Sequence, residues 1–109
     1  MNYVNFEVGN KTYKLRLSTR SMVLLEKQIA CNPLHIFGAN NDTVPTITVM
    51  VAVLHAALQQ YQHGISLNDA YDIFDEYLMD NSTVDFLPVI LEVYKASGII
   101  PKDIDEKNA

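Results

Sequence analysis

Residues 46–62 read TITVMVAVLHAALQQYQ, a run in which hydrophobic residues cover nearly the whole helical circumference up to Gln59. A helix that is apolar on all sides has to be buried in a protein core, in a membrane or against a partner. A membrane span needs about 20 consecutive apolar residues, and this run is shorter and is interrupted by His55. We therefore predict a core helix over 45–62 that the rest of the chain surrounds.

The N-terminal residues predict a β-hairpin over 3–17. Apolar and polar side chains alternate in YVNFEV (3–8) and in TYKLRL (12–17), on either side of the turn sequence Gly9-Asn10-Lys11. A lone two-stranded hairpin is only marginally stable in water. We therefore expect its apolar face to lie on helices or to extend another sheet.

Three further helices are predicted around the central one. The first covers 19–31, and Asn32-Pro33 ends it because the residue before a proline avoids the α conformation. The other two, over 67–80 and 83–97, each begin with a serine followed three residues later by an aspartate, which resembles a capping box. Gly64 is predicted to end the central helix.

The fold class that follows is mainly α (α+β), with an N-terminal hairpin followed by a bundle of about four helices. With 109 residues the chain is the size of one domain, which we place at 3–100, followed by a flexible tail over 101–109. Two of the four helices, 45–62 and 83–97, call for burial on more than one side. Only one of them can occupy the centre, so the other should expose an apolar strip, which usually marks a partner site. A homo-oligomer or a tightly bound client is therefore expected.

Charge excludes one class of partner and suggests another. The formal net charge of −5 argues against nucleic-acid binding, which requires a basic surface. Residues 64–92 contain seven acidic side chains and no Lys or Arg, whereas most of the charged side chains in residues 1–31 are basic. A solvated acidic face is the simpler interpretation, and attraction of a basic partner or of another copy is the alternative.

No catalytic, cofactor or metal motif is present in the sequence. Cys31 is the only cysteine, which excludes an intrachain disulfide and fits an intracellular setting. The histidines at 35, 55 and 63 follow no metal-ligand spacing, and a structural hydrogen bond is the default role for His55. Asp72, Asp75 and Glu76 are interpreted as a solvated face rather than a cation site. The N-terminus lacks the features of a signal peptide, so the sequence predicts a non-enzymatic protein of the cytoplasm, without cofactor, membrane or nucleic acid.

The order of the predicted hairpin and helices resembles that in the tail assembly chaperones of long-tailed bacteriophages and prophages of Gram-positive hosts. The resemblance is carried by YKLRL (13–17), STRSMVLLEKQIACNPL (18–34), HGISLNDAYDIFDEYL (63–78) and FLPVILEVYKASGI (86–99). These motifs are hydrophobic patterns that together extend over about residues 3–100, and they include no catalytic residue.

The resemblance implies a chaperone that coats the tape measure protein, recruits tail tube subunits, acts in the host cytoplasm and is absent from the mature virion. The alternative is a structural head–tail connector or tail completion protein, which would form a ring and remain in the virion.

Two sets of residues are candidate interaction sites. The hypothetical client groove combines apolar residues of the last helix with the acidic stripe of the helix before it: Phe86, Ile90, Val93, Tyr94, Asp69, Asp72 and Glu76. Self-association is expected through the exposed hairpin edge, with Tyr3, Phe6, Tyr13 and Leu15 as its residues.

Overall fold

The fold is a two-stranded hairpin followed by four helices, seen in a computed structural model that describes residues 2–36 and 44–102. This confirms the predicted fold class. The strands and helices are β1 (Val4–Val8), β2 (Lys11–Leu15), α1 (Thr19–Ile29), α2 (Ile47–Leu58), α3 (Leu67–Tyr77) and α4 (Thr83–Ser97), with a 3₁₀ turn at Pro33–His35.

The hairpin pairs β1 with β2 in antiparallel register, from Val4 opposite Leu15 to Val8 opposite Lys11. Gly9 adopts φ 61° in the connecting turn, a conformation that glycine reaches without steric cost. One face of the hairpin is covered by helices, as predicted: β2 packs on α2, and β1 packs on α3 and α4. This cover supplies the burial that an isolated hairpin lacks.

Helix α2 lies at the centre of the domain, in agreement with the sequence. It contacts β2 and each of the other three helices. Eight of its residues are buried: Met50, Val51, Ala52, Val53, Leu54, Ala56, Ala57 and Leu58. Such a helix is stabilised by packing on several sides rather than by one amphipathic face.

An aromatic cluster joins β1, α3 and α4. The rings of Phe6, Phe74, Tyr77 and Phe86 lie with neighbouring centroids 4.9–6.0 Å apart. Phe86 meets Phe6, Phe74 and Tyr77 edge-on, a geometry in which ring edges contact the negative faces of their neighbours. The cluster fixes the hairpin to the two C-terminal helices.

Several helix ends differ from the predicted positions. Helix α1 ends at Ile29 because Ala30 takes a left-handed conformation with φ 58°, and Asn32 instead caps the 3₁₀ turn that follows. Helix α2 stops at Leu58, well before Gly64. Helix α3 stops at Tyr77.

Both predicted capping boxes are confirmed. The Ser66 hydroxyl accepts from the Asp69 amide at 3.0 Å, and the Asp69 carboxylate accepts from the Ser66 amide at 3.0 Å. Ser82 and Asp85 make the same reciprocal pair at the start of α4, which begins and ends at its predicted residues. Each box satisfies two backbone donors that a helix N-terminus leaves free.

Candidate functional site

The inner face of α4 holds the four apolar residues predicted to form a client groove. Phe86, Ile90, Val93 and Tyr94 are each at most 1% exposed. Their spacing places them on one side of the helix, and α4 packs against α2 and β1. Their burial contradicts an open groove made of these side chains, so this part of the prediction is wrong.

The outer face of α4 carries a different apolar set, which we call the outer strip: Val84, Leu87, Pro88 and Leu91. These positions are three or four residues apart and so lie along one side of the helix, with Leu87 at its margin, where it still packs against the core. Val84 is 64% exposed, Pro88 is exposed, and Leu87 and Leu91 are half-buried. The prediction that α4 leaves apolar surface uncovered therefore holds with other residues.

The acidic residues predicted for the same site are all exposed, but they are not equivalent. The carboxylate of Asp69 is held in the capping box, and the hydrogen bonds from Ser66 lower its pKa. Asp72 and Glu76 make no side-chain hydrogen bond or ion pair with other described residues, where the one ion pair joins Lys95 to Glu92 at 3.7 Å. Asp72 and Glu76 are thus available to a partner, whereas Asp69 stabilises the helix.

The four residues predicted for self-association differ in burial, although Phe6, Tyr13 and Leu15 share one face of the hairpin. Phe6 and Leu15 are buried in the core, so they cannot contact another copy of the folded chain, and their assignment is corrected. Tyr3 and Tyr13 are half-buried. The Tyr3 ring meets Tyr61 edge-on at 5.4 Å, and the Lys14 ammonium lies 5.0 Å from the Tyr3 ring centroid.

The two edges of the hairpin also differ. Gln62, just after α2, closes the β2 edge because its side chain accepts from the Lys14 amide and donates to the Lys14 carbonyl, both at 2.9 Å. Arg16 N–H donates to the Ala57 carbonyl at 3.0 Å. Asn5 lies opposite Lys14, so its backbone groups point away from β2. No described residue bonds to them outside the hairpin, which leaves β1 as the open edge.

A groove between α1 and the end of α2 was not predicted. It is lined by residues 18–21, by Val23, Leu24 and Lys27, and by Gln59, Gln60 and His63. The sequence signal for it was the spacing of Arg20, Val23, Leu24 and Lys27 at three and four residues, which identifies a second face of α1 opposite the buried one. We call this surface the α1–α2 groove.

Titratable side chains do not converge on a reactive centre in the described part of the chain. Residues 2–36 and 44–102 contain no group of three His, Cys, Asp or Glu side chains that would hold a metal ion. Cys31 is exposed. The His55 ring lies 3.4 Å from the Gln28 amide, and His55 is half-buried.

Comparisons with protein-family models, with curated proteins and with solved structures find no match to this chain. The family resemblance noted in the sequence therefore stays a prediction. No helix within the described residues has both the length and the apolar character needed to cross a membrane.

Proposed function

We propose that this chain is a non-enzymatic tail assembly chaperone of a bacteriophage or prophage. In this proposal it binds the tape measure protein and recruits tail tube subunits in the host cytoplasm. The resemblance of residues 3–100 to that family supplies the identity of the client. The observation that carries the binding role is the outer strip of α4, an apolar surface on a helix whose opposite face already fills the core.

The outer strip suits the apolar face of a client helix. Leu91 lies outside the set of side chains that pack against the core, and Val84 and Pro88 are exposed. Burial of apolar surface contributes about 25 cal/mol per Å². A strip of a few hundred Å² would therefore contribute several kcal/mol before the costs of association.

The acidic residues on and just after α3 favour a client that also carries basic residues. Asp72, Glu76 and Asp80 are exposed, and none has an ionic partner within the described residues. Complementary charge increases the association rate and discriminates against acidic partners. The proposed client thus combines an apolar helix face, which covers the outer strip, with Lys or Arg residues that meet the acidic side chains of α3.

Self-association is the second part of the proposal, and the open edge of β1 supports it. The backbone groups of Asn5 and Glu7 point away from β2, and such unpaired edges pair readily with another strand. Pairing of β1 with β1 of a second copy would join two hairpins into a four-stranded sheet. A two-fold axis at Asn5 would place Tyr3 opposite Glu7 and keep the two Glu7 carboxylates apart.

Co-expression with the tape measure protein tests the client-binding role. We expect a soluble complex from the wild-type chain and loss of that complex in the double variant Val84→Asp/Leu91→Gln. Ile47→Asp is the matched control, because Ile47 is a similarly exposed hydrophobic residue, 57% exposed, at the start of α2. Circular dichroism should give the same helicity for all three chains. Persistence of the complex in the double variant would place the client elsewhere.

Mass spectrometry of purified virions separates the chaperone from a connector or tail completion protein. A chaperone is released when the tail is complete, so its peptides should be missing. A ring that forms part of the virion would contribute a fixed number of copies to every particle. Detection at such a constant ratio would overturn the chaperone proposal.

A further inference from the structure

The α1–α2 groove has an apolar centre between two cations. Val23 is 44% exposed, and Leu24 is half-buried yet does not belong to the side chains packed against the core. Arg20 and Lys27 are exposed on the same side of α1. They are seven residues apart, so their Cα atoms are separated by about 10 Å along the helix.

Both cations are free to bind a ligand. Within residues 2–36 and 44–102 neither Arg20 nor Lys27 makes a side-chain hydrogen bond, and the single ion pair lies on α4. None of the residues that line the groove is acidic. A partner that brings carboxylates to this surface would therefore meet two uncompensated positive charges.

The polar part of the groove is held in position before any partner binds. Gln59 donates to the His55 and Ile65 carbonyls at 3.0 and 2.7 Å. Gln60 accepts from the Arg16 guanidinium at 3.0 Å. A surface fixed by its own hydrogen bonds loses little conformational entropy when it is covered, which favours binding.

The open shape of the groove favours a polypeptide over a small molecule. Its volume is about 1060 Å³ and it is open to solvent, whereas small-molecule sites enclose most of their ligand. The apolar centre of the groove can bind the apolar face of an amphipathic helix, and the two cations of α1 can pair with charged residues along that helix.

We propose that the α1–α2 groove binds an acidic amphipathic helix of a partner protein. Its apolar face covers Val23 and Leu24, and carboxylates two turns apart pair with Arg20 and Lys27. This surface shares no residue with the outer strip of α4, and its charge is opposite to that of the acidic face. It therefore selects a second partner with the reverse charge pattern.

A pair of designed peptides tests this proposal with the full chain. The acidic probe is a dye-labelled helical peptide of about 20 residues with a leucine stripe and Glu residues seven positions apart. The matched probe has Gln at every Glu position, because a lysine probe would resemble the basic client proposed for the outer strip. Fluorescence anisotropy should give an affinity at least about tenfold higher for the acidic probe, with a difference that shrinks at high salt. Equal affinities would overturn the proposal.

Variants locate the binding site. Arg20→Glu/Lys27→Glu should weaken acidic-probe binding at least about tenfold and reverse the preference between the probes. Lys11→Glu/Lys102→Glu changes the net charge equally at exposed positions outside the groove and should alter the affinity less than about twofold. Val23→Thr keeps the side-chain shape and should weaken binding about threefold, because it removes apolar contact. Equal effects of the two double variants would indicate non-specific attraction and contradict the groove.

Sedimentation of the wild-type chain without a probe tests the competing occupant. If Arg20→Glu/Lys27→Glu converts an oligomer into monomers, a second copy occupies the groove and the proposal of a separate partner fails. Binding of the tape measure protein is measured independently with Val84→Asp/Leu91→Gln. Failure of one proposal is therefore distinguishable from failure of the other.

Discussion

Tyr94 joins α4 to the segment after α1 through one buried hydrogen bond. Its hydroxyl donates to the Pro33 carbonyl at 2.9 Å, across 61 positions of sequence. Burial, and secondarily the charge of nearby Cys31, raise the pKa of the Tyr94 phenol above its ordinary value. The sequence analysis placed Tyr94 in the client groove. That prediction failed because the hydrophobic pattern of a helix does not reveal a hydrogen-bond partner 61 positions away in sequence.

We predict that Tyr94→Phe destabilises the fold at neutral pH and reduces its sensitivity to alkali. The Pro33 carbonyl would lose its partner, at a cost of about 1–3 kcal/mol in unfolding free energy. In the wild-type chain the raised pKa keeps the phenol protonated when folded, whereas the unfolded phenol ionises near pH ~10. The contribution of the protonated Tyr94 phenol to the unfolding free energy is therefore fully present below pH ~10 and is lost as the pH rises above that value.

Urea unfolding at several pH values between neutral and alkaline measures both effects. Burial also raises the pKa of Tyr77, so part of the alkaline loss should remain in the Tyr94→Phe variant. Tyr71→Phe is the control, because Tyr71 is 47% exposed and should change the urea midpoint little. An unchanged pH dependence in Tyr94→Phe would contradict this account.

For the helices and strands, the sequence predicted which segments form helices more accurately than it predicted which faces of those helices are buried. Thr83–Ser97 was predicted to the residue, because a capping box begins it and Gly98 ends it in a left-handed conformation. Its orientation was predicted wrongly, with Phe86, Ile90 and Tyr94 facing a client. Hydrophobic residues cover most of the circumference of this helix, so the sequence does not show which side faces the core. The aromatic cluster around Phe86 decides it, and those contacts involve three separate elements.

Helix α3 gives a second case of the same limit. The helical spacing of Leu67, Ala70, Tyr71 and Phe74 predicts that these four residues face the core. In the structure Leu67 and Tyr71 are partly exposed, and Ile73 and Tyr77 are buried instead. Tyr71 and Tyr77 are the same type of residue on the same helix. Only the neighbouring elements of the fold determine which of the two is buried. The α1–α2 groove was not predicted for a related reason, because it combines residues of α1 with residues 59–63, which follow α2 and are far from α1 in sequence.

We predict that the open strand edge, rather than the apolar face of the hairpin, supports self-association. Asn5→Pro removes an outward N–H without removing a bond between β1 and β2, and proline is tolerated on edge strands. Light scattering should give a lower mass for Asn5→Pro than for the wild type. Asn5→Ala keeps the N–H and should retain the wild-type mass. A monomeric wild type, or an equal mass for the two variants, would exclude this edge.

For the whole molecule, the central position of α2 predicts that the domain unfolds as one cooperative unit. The four buried residues of the hairpin, Phe6, Val8, Leu15 and Leu17, pack into the same core as α2, and the Leu17 amide donates to the buried Ser97 hydroxyl at 2.8 Å. The hairpin therefore lacks a separate core and should unfold together with the helices. The sequence predicted the central position of this helix, because hydrophobic residues cover nearly its whole circumference.

We predict that Leu54→Ala lowers the unfolding free energy by about 2–5 kcal/mol, since Leu54 is fully buried and its truncation leaves a cavity. The total unfolding free energy of a small domain is only about 5–15 kcal/mol, so this loss is a large part of it. Ile47→Ala on the same helix should change the unfolding free energy by less than about 0.5 kcal/mol, because Ile47 is largely exposed.

With Tyr13→Trp introduced into each chain, helicity and tryptophan fluorescence should report the same urea midpoint, because two-state unfolding gives coincident transitions. Helicity follows the bundle, and the tryptophan signal follows the hairpin, since the natural sequence contains no tryptophan. If Leu54→Ala shifted the helical transition and left the fluorescence transition in place, the hairpin would be an independent unit. The domain would then have two cores, which the shared burial of Leu15, Leu17 and α2 argues against.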